Sequence, residues 1–373
     1  MIARIISATT VGFNGQIIEV ECDASKGLPT LQIVGLGNKA IDEAKERVRS
    51  AIKNSHLDFP ARIVTIFLAP ANIPKDGAHF DLPIALAITS VNGQLRPEDT
   101  AEKVFAGELS LDGSLRSIRG AIHLAETAKQ AGYKEIFLPK NNASTAAMIT
   151  GITVYGVSSL AELFLHLKKE KLIQPEQYHA HSLSSSHDKD IVTIDDIHGQ
   201  EQAKRALIIA CAGHHNVLFT GPPGTGKTML ARAIVDLLPP LSPNEQIEVL
   251  KMHSLVDEAL ETPALSRPFR NPHHTSSYIS LVGGGTRPLP GEMSLAHHGV
   301  LFLDELPEYP RSSIEAMRQP LEDRTISISR AHAKVTYPAN FMLIATQNPC
   351  PCGYLGDPTK ECVCSQQQIL QYQ

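Results

Sequence analysis

Residues 221–228 read GPPGTGKT, which satisfies G-x-x-x-x-G-K-[ST], the spacing of a loop that binds the phosphates of a purine nucleoside triphosphate. Glycines at Gly221, Gly224 and Gly226 permit backbone angles and close approaches that side chains block, so successive amides can face phosphate oxygens. In such a loop Lys227 reaches the β- and γ-phosphates and the Thr228 hydroxyl ligates magnesium, while Pro222, Pro223 and Thr225 complete the cradle. A second run, Val300 to Leu303, is apolar throughout and ends in Asp304 and Glu305. That pattern puts two carboxylates at the C-terminal edge of a sheet strand, where open α/β folds bind ligands. Asp304 is expected to hold magnesium, directly or through water, and Glu305 to polarise the attacking water. A third run, Phe341 to Ala345, leads into Thr346, Gln347 and Asn348, setting the neutral amide of Asn348 where it can orient water near a γ-phosphate. The reading requires the glycine cradle to face the acid pair across to the neighbouring strand.

The cysteines pose a separate question. Cys350, Cys352, Cys362 and Cys364 form two C-x-C pairs nine residues apart, with Gly353, Gly356, Asp357 and Pro358 supplying turns between them. Four thiolates so placed can surround zinc tetrahedrally, although C-x-C is tighter than the usual C-x-x-C knuckle. Unmetallated reduced thiols and redox chemistry stand as the other readings. Cys22 and Cys211 lie in apolar patterns and read as core residues. The adjacent pairs His273/His274 and His297/His298 cannot both face one metal from a strand, so packing or pore roles are expected for them.

These groups need elements to hold them. An apolar run at 216–220 precedes the phosphate loop, and Met229, Leu230, Ala233, Ile234, Leu237 and Leu238 follow at helical spacing, which brings the phosphates to a helix N-terminus. With a helix predicted over 200–212 and buried strands at 300–303 and 341–345, the second half reads as a P-loop α/β/α sandwich. In the first half, strand-like runs at 16–21, 31–34, 63–68, 136–138 and 153–157 alternate with helical patterns at 38–52, 80–92 and 120–131, again an α/β domain. The expected division is a first domain over 1–167, a polar linker over 168–190 and a second domain over 191–373. His179, His181 and His187 fall in the linker; metal binding and a merely solvated linker are the two readings, and no role is assigned.

A chain of 373 residues, 42% hydrophobic, supports two to three packed cores. Its formal charge of -5 argues against a surface coated in basic groups, yet leaves room for a local basic stripe. No apolar run approaches the roughly 18 residues of a membrane span. The opening MIARIISATTVGFNG has no secretory pattern, so a cytoplasmic protein is expected.

The segments DDIHGQEQAKRAL, GPPGTGKT, FRNPHHTSSYISLVGGG and LPGEMSLAHHGVLFLDELPEYPRSSIEAMRQPLEDRTISISRAHAKVTYPANFMLIATQNPCPCG together resemble the magnesium-chelatase-like AAA+ ATPases. Within them the chain is most similar to the YifB/ComM group, whose competence member is a DNA branch-migration helicase, and the resemblance spans essentially all of the chain. It implies ATP and magnesium as cofactors and a hexameric ring with nucleotide between subunits. It also implies single-stranded or branched DNA as partner, with roles in competence and recombination. Residues 271–292 would match a family insertion and residues 324–336 a pore hairpin. There Ile326, Ile328, Arg330, His332 and Lys334 alternate with small residues, so one face could present Arg330 and Lys334, with Arg324 at the base, to phosphates. An ordinary solvated hairpin is the alternative.

NIPKDGAHFDLP at 72–83 and GELSLDGSLRSIRG at 107–120 look like the Lon-protease (ribosomal S5 domain 2-like) fold that this family carries at its N-terminus. By that resemblance the proteolytic serine would fall at His79 and its lysine at Ile122, so peptide hydrolysis has no chemical basis. Lys75 and Asp76 read as shaping a turn. The resemblance further implies that an arginine finger, a helical lid and a second sensor lie beyond Gln373, so ATP turnover by this stretch alone is expected to be weak. A metal-chelatase motor subunit and a nucleotide-dependent assembly module remain the competing functions.

Overall fold

A computed structural model of the chain describes residues 2–34, 39–73, 75, 77–178, 192–256, 266–285, 288–330, 333–358 and 360–372. Contacts divide it into two units, Met1–Ala180 with His253–Pro263, and His181–Met252 with Ala264–Gln373.

The first unit is built on the hairpin Ile2–Val11/Asn14–Ser25, paired in register from Ile2 opposite Asp23 to Val11 opposite Asn14. Gly12, at φ 62°, makes its two-residue turn. Period-two burial along the second strand seals Ile18, Val20 and Cys22 in the core. Around this hairpin a seven-stranded sheet runs in the order Thr30–Val34, Ile63–Ala69, Asn14–Ser25, Ile2–Val11, Lys103–Phe105, Glu135–Pro139, Thr153–Val157. Phe105, Phe137 and Tyr155 sit opposite one another on the last three, parallel strands, with ring centroids 5.1 and 4.7 Å apart. The Ile2–Val11 strand has no counterpart in the sequence reading, because beyond Ile5 its buried residues are the small Ser7, Ala8 and Thr9.

Residues 168–176, expected as linker, are fastened to this unit: the Glu176 amide donates to the Val154 carbonyl at 2.8 Å and that of Ile173 to His166 Nδ1 at 2.9 Å. His179, His181 and His187 lie outside the described residues. Lys75 is buried and donates to the Pro70 carbonyl; Asp76 also lies outside the described residues. Ile122 is a core position, and His79 is half-buried with its ring desolvated.

In the second unit four parallel strands run in the order Val217–Thr220, Met342–Gln347, Val300–Leu303, Phe269–Arg270. Glu201–Gly213 contributes Leu207 and Ala210 to its core, and Lys227–Leu237 contributes Leu230, Ala231, Ala233 and Ile234. These pack with Val300, Phe302, Met342 and Ile344. Phe302 stacks on Phe269 at 5.8 Å, and truncating such a ring to alanine costs about 3–5 kcal/mol. One expectation changes: the acid strand is not the immediate neighbour of the strand feeding the phosphate loop, because Met342–Gln347 is inserted between them.

Within 271–292 the chain forms a short helix Tyr278–Val282, a two-residue pairing of Gly283–Gly284 with Leu289–Pro290, and the start of helix Glu292–Leu295. Arg270 and Glu292 close the base of this excursion with two hydrogen bonds of 2.6 and 2.8 Å. The expected hairpin is present as Thr325–Arg330 and Ala333–Pro338. Its register corrects the basic-face expectation. Lys334 pairs with Ser329 and Arg330 with Ala333, so the two basic positions fall on opposite faces of the ribbon. In one uninterrupted strand Arg330 and Lys334 would share a face; pairing on two different strands in this register separates them. Ile326, Ile328, Val335 and Tyr337 form the buried face; Lys334 and Arg324 are exposed, the latter with a left-handed φ of 56°. No helix among the described residues is long and apolar enough to cross a membrane.

Candidate functional site

Strand register brings the three predicted segments to one sheet edge. Thr220 lies opposite Gln347, and Leu303 opposite Ala345, so the phosphate loop, Asn348 and the acid pair all emerge at the C-terminal ends of adjacent strands. The loop enters helix Lys227–Leu237 through Gly226 at φ 82°, and Gly224 at φ 80° makes the turn before it. Both need glycine. Gly221 does not: its φ is ordinary, and a Cβ there would meet only Thr225 Oγ1, at 3.4 Å.

Lys227 donates to the carbonyls of Gly221 (2.6 Å) and Pro222 (2.9 Å) and to Asn348 Oδ1 (3.2 Å). Burial lowers its pKa, while Asp304 and Glu305 pull it back up. Thr228 Oγ1 lies 3.3 Å from Asp304 Oδ2, so the helix N-terminus and the acid strand meet where a magnesium ion can bridge them. Thr225 Oγ1 ties the loop to the Pro222 carbonyl at 2.9 Å, and Gln347 Nε2 reaches Thr220 Oγ1 at 3.1 Å. Gly221, Pro222, Thr225, Lys227, Thr228, Asp304 and Asn348 thus meet at one sheet edge through these hydrogen bonds.

Glu305 has a left-handed φ of 54°, uncommon for a residue with a side chain, and its carboxylate is half exposed. The strain is held by Thr346, whose Oγ1 accepts from the Glu305 amide at 3.0 Å and donates to Asp304 Oδ1. One buried hydroxyl therefore orients both acids. That double contact was not visible in sequence, where Thr346 reads as the first residue after an apolar strand. His274 Nδ1 is 4.0 Å from Glu305 Oε2, on a loop that Tyr309 pins by donating to the Pro272 carbonyl at 2.5 Å.

The four cysteines converge. Cys350, Cys352 and Cys362 have Sγ–Sγ separations of 3.3, 3.6 and 3.6 Å, and all four sulfurs lie within 4.8 Å of one another. Tetrahedral zinc with Zn–S bonds of about 2.3 Å needs sulfurs about 3.8 Å apart, so the set fits one ion. Amides of Tyr354 and Val363 pull the Cys352 thiol down to about 6, while burial and the neighbouring sulfurs push Cys362 and Cys364 up, so in the metal-free cluster the thiolate gathers on Cys352. Cys22 and Cys211 are buried free thiols pushed up to about 12 and about 11 by desolvation, as core residues should be.

His297 and His298 depart from expectation. Their rings stack at 3.9 Å, and both Nε2 atoms reach the same oxygen of Glu248, at 3.0 and 2.7 Å. A left-handed φ of 58° at His298 turns consecutive side chains to one side. The trio has the composition of a metal site, yet His297 Nδ1 accepts the Asn340 amide at 3.0 Å. Its proton therefore sits on Nε2, the atom a metal would need bare. Burial pushes His297 down to about 4, and the trio reads as a hydrogen-bonded node.

Comparison with known proteins agrees with this geometry. The family described as "Magnesium chelatase, subunit ChlI" matches residues 193–373, and "Subunit ChlI of Mg-chelatase" matches residues 20–142. The chain is 43% identical to "Competence protein ComM" of Haemophilus influenzae over all of its own length and 73% of that protein's. It is 46% identical to "Uncharacterized protein YifB" of Escherichia coli over 97% of its own length and 70% of that protein's. Similarity to the "Magnesium-chelatase 67 kDa subunit" of Heliobacterium mobile is 29%, over 43% of this chain and 28% of that protein. The phosphate loop, the acid pair and the full-length likeness converge on one conclusion: the chain belongs to the magnesium-chelatase-like YifB/ComM family.

Proposed function

We propose that this chain is the ATP-driven core of a DNA-translocating motor of the ComM type, acting on branched or single-stranded DNA. The observation that carries the nucleotide half is the pair of contacts Thr228–Asp304 and Lys227–Asn348 at one sheet edge. In this reading the three donors of Lys227 turn to the β- and γ-phosphates, Thr228 and Asp304 hold magnesium, Glu305 polarises the attacking water, and Asn348 senses the γ-phosphate. The loop residues 221–228 wrap the phosphates at a helix N-terminus, with residues 191–373 as the motor domain and residues 1–167 as a scaffold without protease chemistry. Zinc in the cysteine cluster supplies a rigid four-thiolate crosslink; Cys350, Cys352, Cys362 and Cys364 would hold it.

The DNA half rests on the likeness to the competence protein and on exposed Arg324 and Lys334 beside the hairpin. Those charges would bind phosphates without reading sequence. Assembly is proposed as a homohexameric ring in the cytoplasm, with strong turnover needing an arginine from a neighbouring subunit. The decisive experiment is fluorescence anisotropy on forked, single-stranded and double-stranded DNA with and without Mg-ATP, paired with DNA-stimulated hydrolysis. Tighter binding to forks with nucleotide is expected. Equal failure on all three DNAs at low salt would sink the translocation reading and favour a chelatase-like motor subunit or a nucleotide-dependent assembly module.

A further inference from the structure

The cysteine cluster and the nucleotide site are one mechanical unit. Cys350 follows Asn348 by two residues and is fully buried, while Asn348 accepts from Lys227. The knuckle turns at Gly353, whose amide donates to the Cys350 carbonyl at 2.9 Å and whose φ is 84°. A Cβ at Gly353 would lie 2.9 Å from Pro223 Cδ and 3.3 Å from its Cγ, so the knuckle turn rests directly on the phosphate loop. After Cys364 the chain forms helix Gln366–Tyr372 and returns to its starting point, where the Tyr372 hydroxyl meets the backbone and side chain of Asn348. The cluster thus closes a strap that begins and ends on the sensor residue and presses on the loop midway.

We propose that zinc held by these four cysteines sets the nucleotide affinity of the site, by fixing Asn348 and the Pro223 turn in their binding positions. This rests on the readings of the loop as a nucleotide site and of the cluster as a zinc site. Because coupling between two ligands is reciprocal, bound nucleotide must tighten zinc by the same factor that zinc tightens nucleotide. No chemistry passes between the two sites; the strap transmits position only.

The test measures zinc colorimetrically and nucleotide affinity by anisotropy of a fluorescent ATP analogue with magnesium, on the same preparations. Zinc-loaded protein is expected to hold one equivalent per chain and to bind nucleotide about tenfold more tightly than chelator-stripped protein. Chelators are expected to extract zinc less readily when nucleotide is present. Gly353→Ala provides an arm without metal removal: the added methyl pushes the turn off Pro223, so zinc content should stay at one while nucleotide affinity falls about fivefold. If stripping unfolds the protein by circular dichroism, the Gly353→Ala arm decides. Zinc bound but affinity unchanged in Gly353→Ala overturns the coupling. Failure to retain any zinc overturns it together with the zinc reading, leaving nucleotide binding standing. Undiminished nucleotide binding by Lys227→Ala would instead condemn the site reading, and the proposal with it.

Discussion

The two units treat polar groups in opposite ways. In the first, Lys75 and Asp81 are sealed in the core beside a half-buried His79, with Asp81 joined to Arg47 at 2.9 and 3.3 Å and to the Leu109 amide at 3.3 Å. In the second, Lys227, Thr228, Asp304 and Asn348 lie at a sheet edge, part-buried and matched to one another, with Glu305 half exposed beside them. Sealed groups can only hold a fold. Groups at an open edge can exchange their partners for a ligand, so substitutions should separate cleanly into those that cost stability and those that cost chemistry.

The sharpest break of that contrast is Glu305→Gln, expected to lower ATP turnover by about 10²–10⁴-fold while nucleotide affinity and thermal stability stay put. Steady-state phosphate release and anisotropy on one preparation check it. Loss of binding together with turnover would mean that Glu305 shapes the site rather than acting on water. The mirror experiment is Asp81→Ala, which takes the buried carboxylate away from Arg47 and the Leu109 amide, leaves Arg47 beside Glu43, and should cost the first unit about 1.5–3 kcal/mol in denaturant unfolding without touching nucleotide affinity.

Thr346→Val tests the hydroxyl that serves both acids. Removing it should weaken magnesium-dependent nucleotide binding about tenfold, roughly one charged hydrogen bond, and Thr346→Ser should restore most of the loss. Equal defects in the two variants would point to packing instead.

The sealed cluster has its own pH signature. Burial pushes Asp81 up to about 6 from 3.8, so the folded state holds the extra proton and Asp81 makes stability fall as pH rises from about 4 to 6. Burial pushes His79 down to about 4 from 6.5, so the unfolded state binds more protons and His79 makes stability rise with pH over about 4 to 6.5. The two slopes oppose. His79→Gln should unmask the falling slope and Asp81→Asn the rising one in melting temperatures of the first unit, and parallel profiles for both would refute the assignment. Smallest of all, Lys334→Ala should reduce the salt dependence of DNA binding by about one phosphate contact.

Much of the proposed nucleotide site was legible because its information is local. Strand, glycine loop and helix follow one another within residues 217–237, and Asp304, Glu305 and Asn348 each end a recognisable apolar run. What escaped is non-local or depends on backbone hand. Thr346 acquires meaning only because Met342–Gln347 lies between the other two strands. His297 and His298 share Glu248 only because His298 takes a left-handed φ, and Lys334 parts from Arg330 because the two lie on different strands of the ribbon, in a register that pairs Lys334 with Ser329. The Ile2–Val11 strand was hidden by its small buried residues.

The middle position of Met342–Gln347 carries one more consequence. Both of its edges are already zipped to partners, so sliding it by a single residue would put Ala345 where the shared hydroxyl belongs and move the Asn348 amide away from Lys227 at once. One slip of this strand would therefore disturb the acid pair and the lysine contact together.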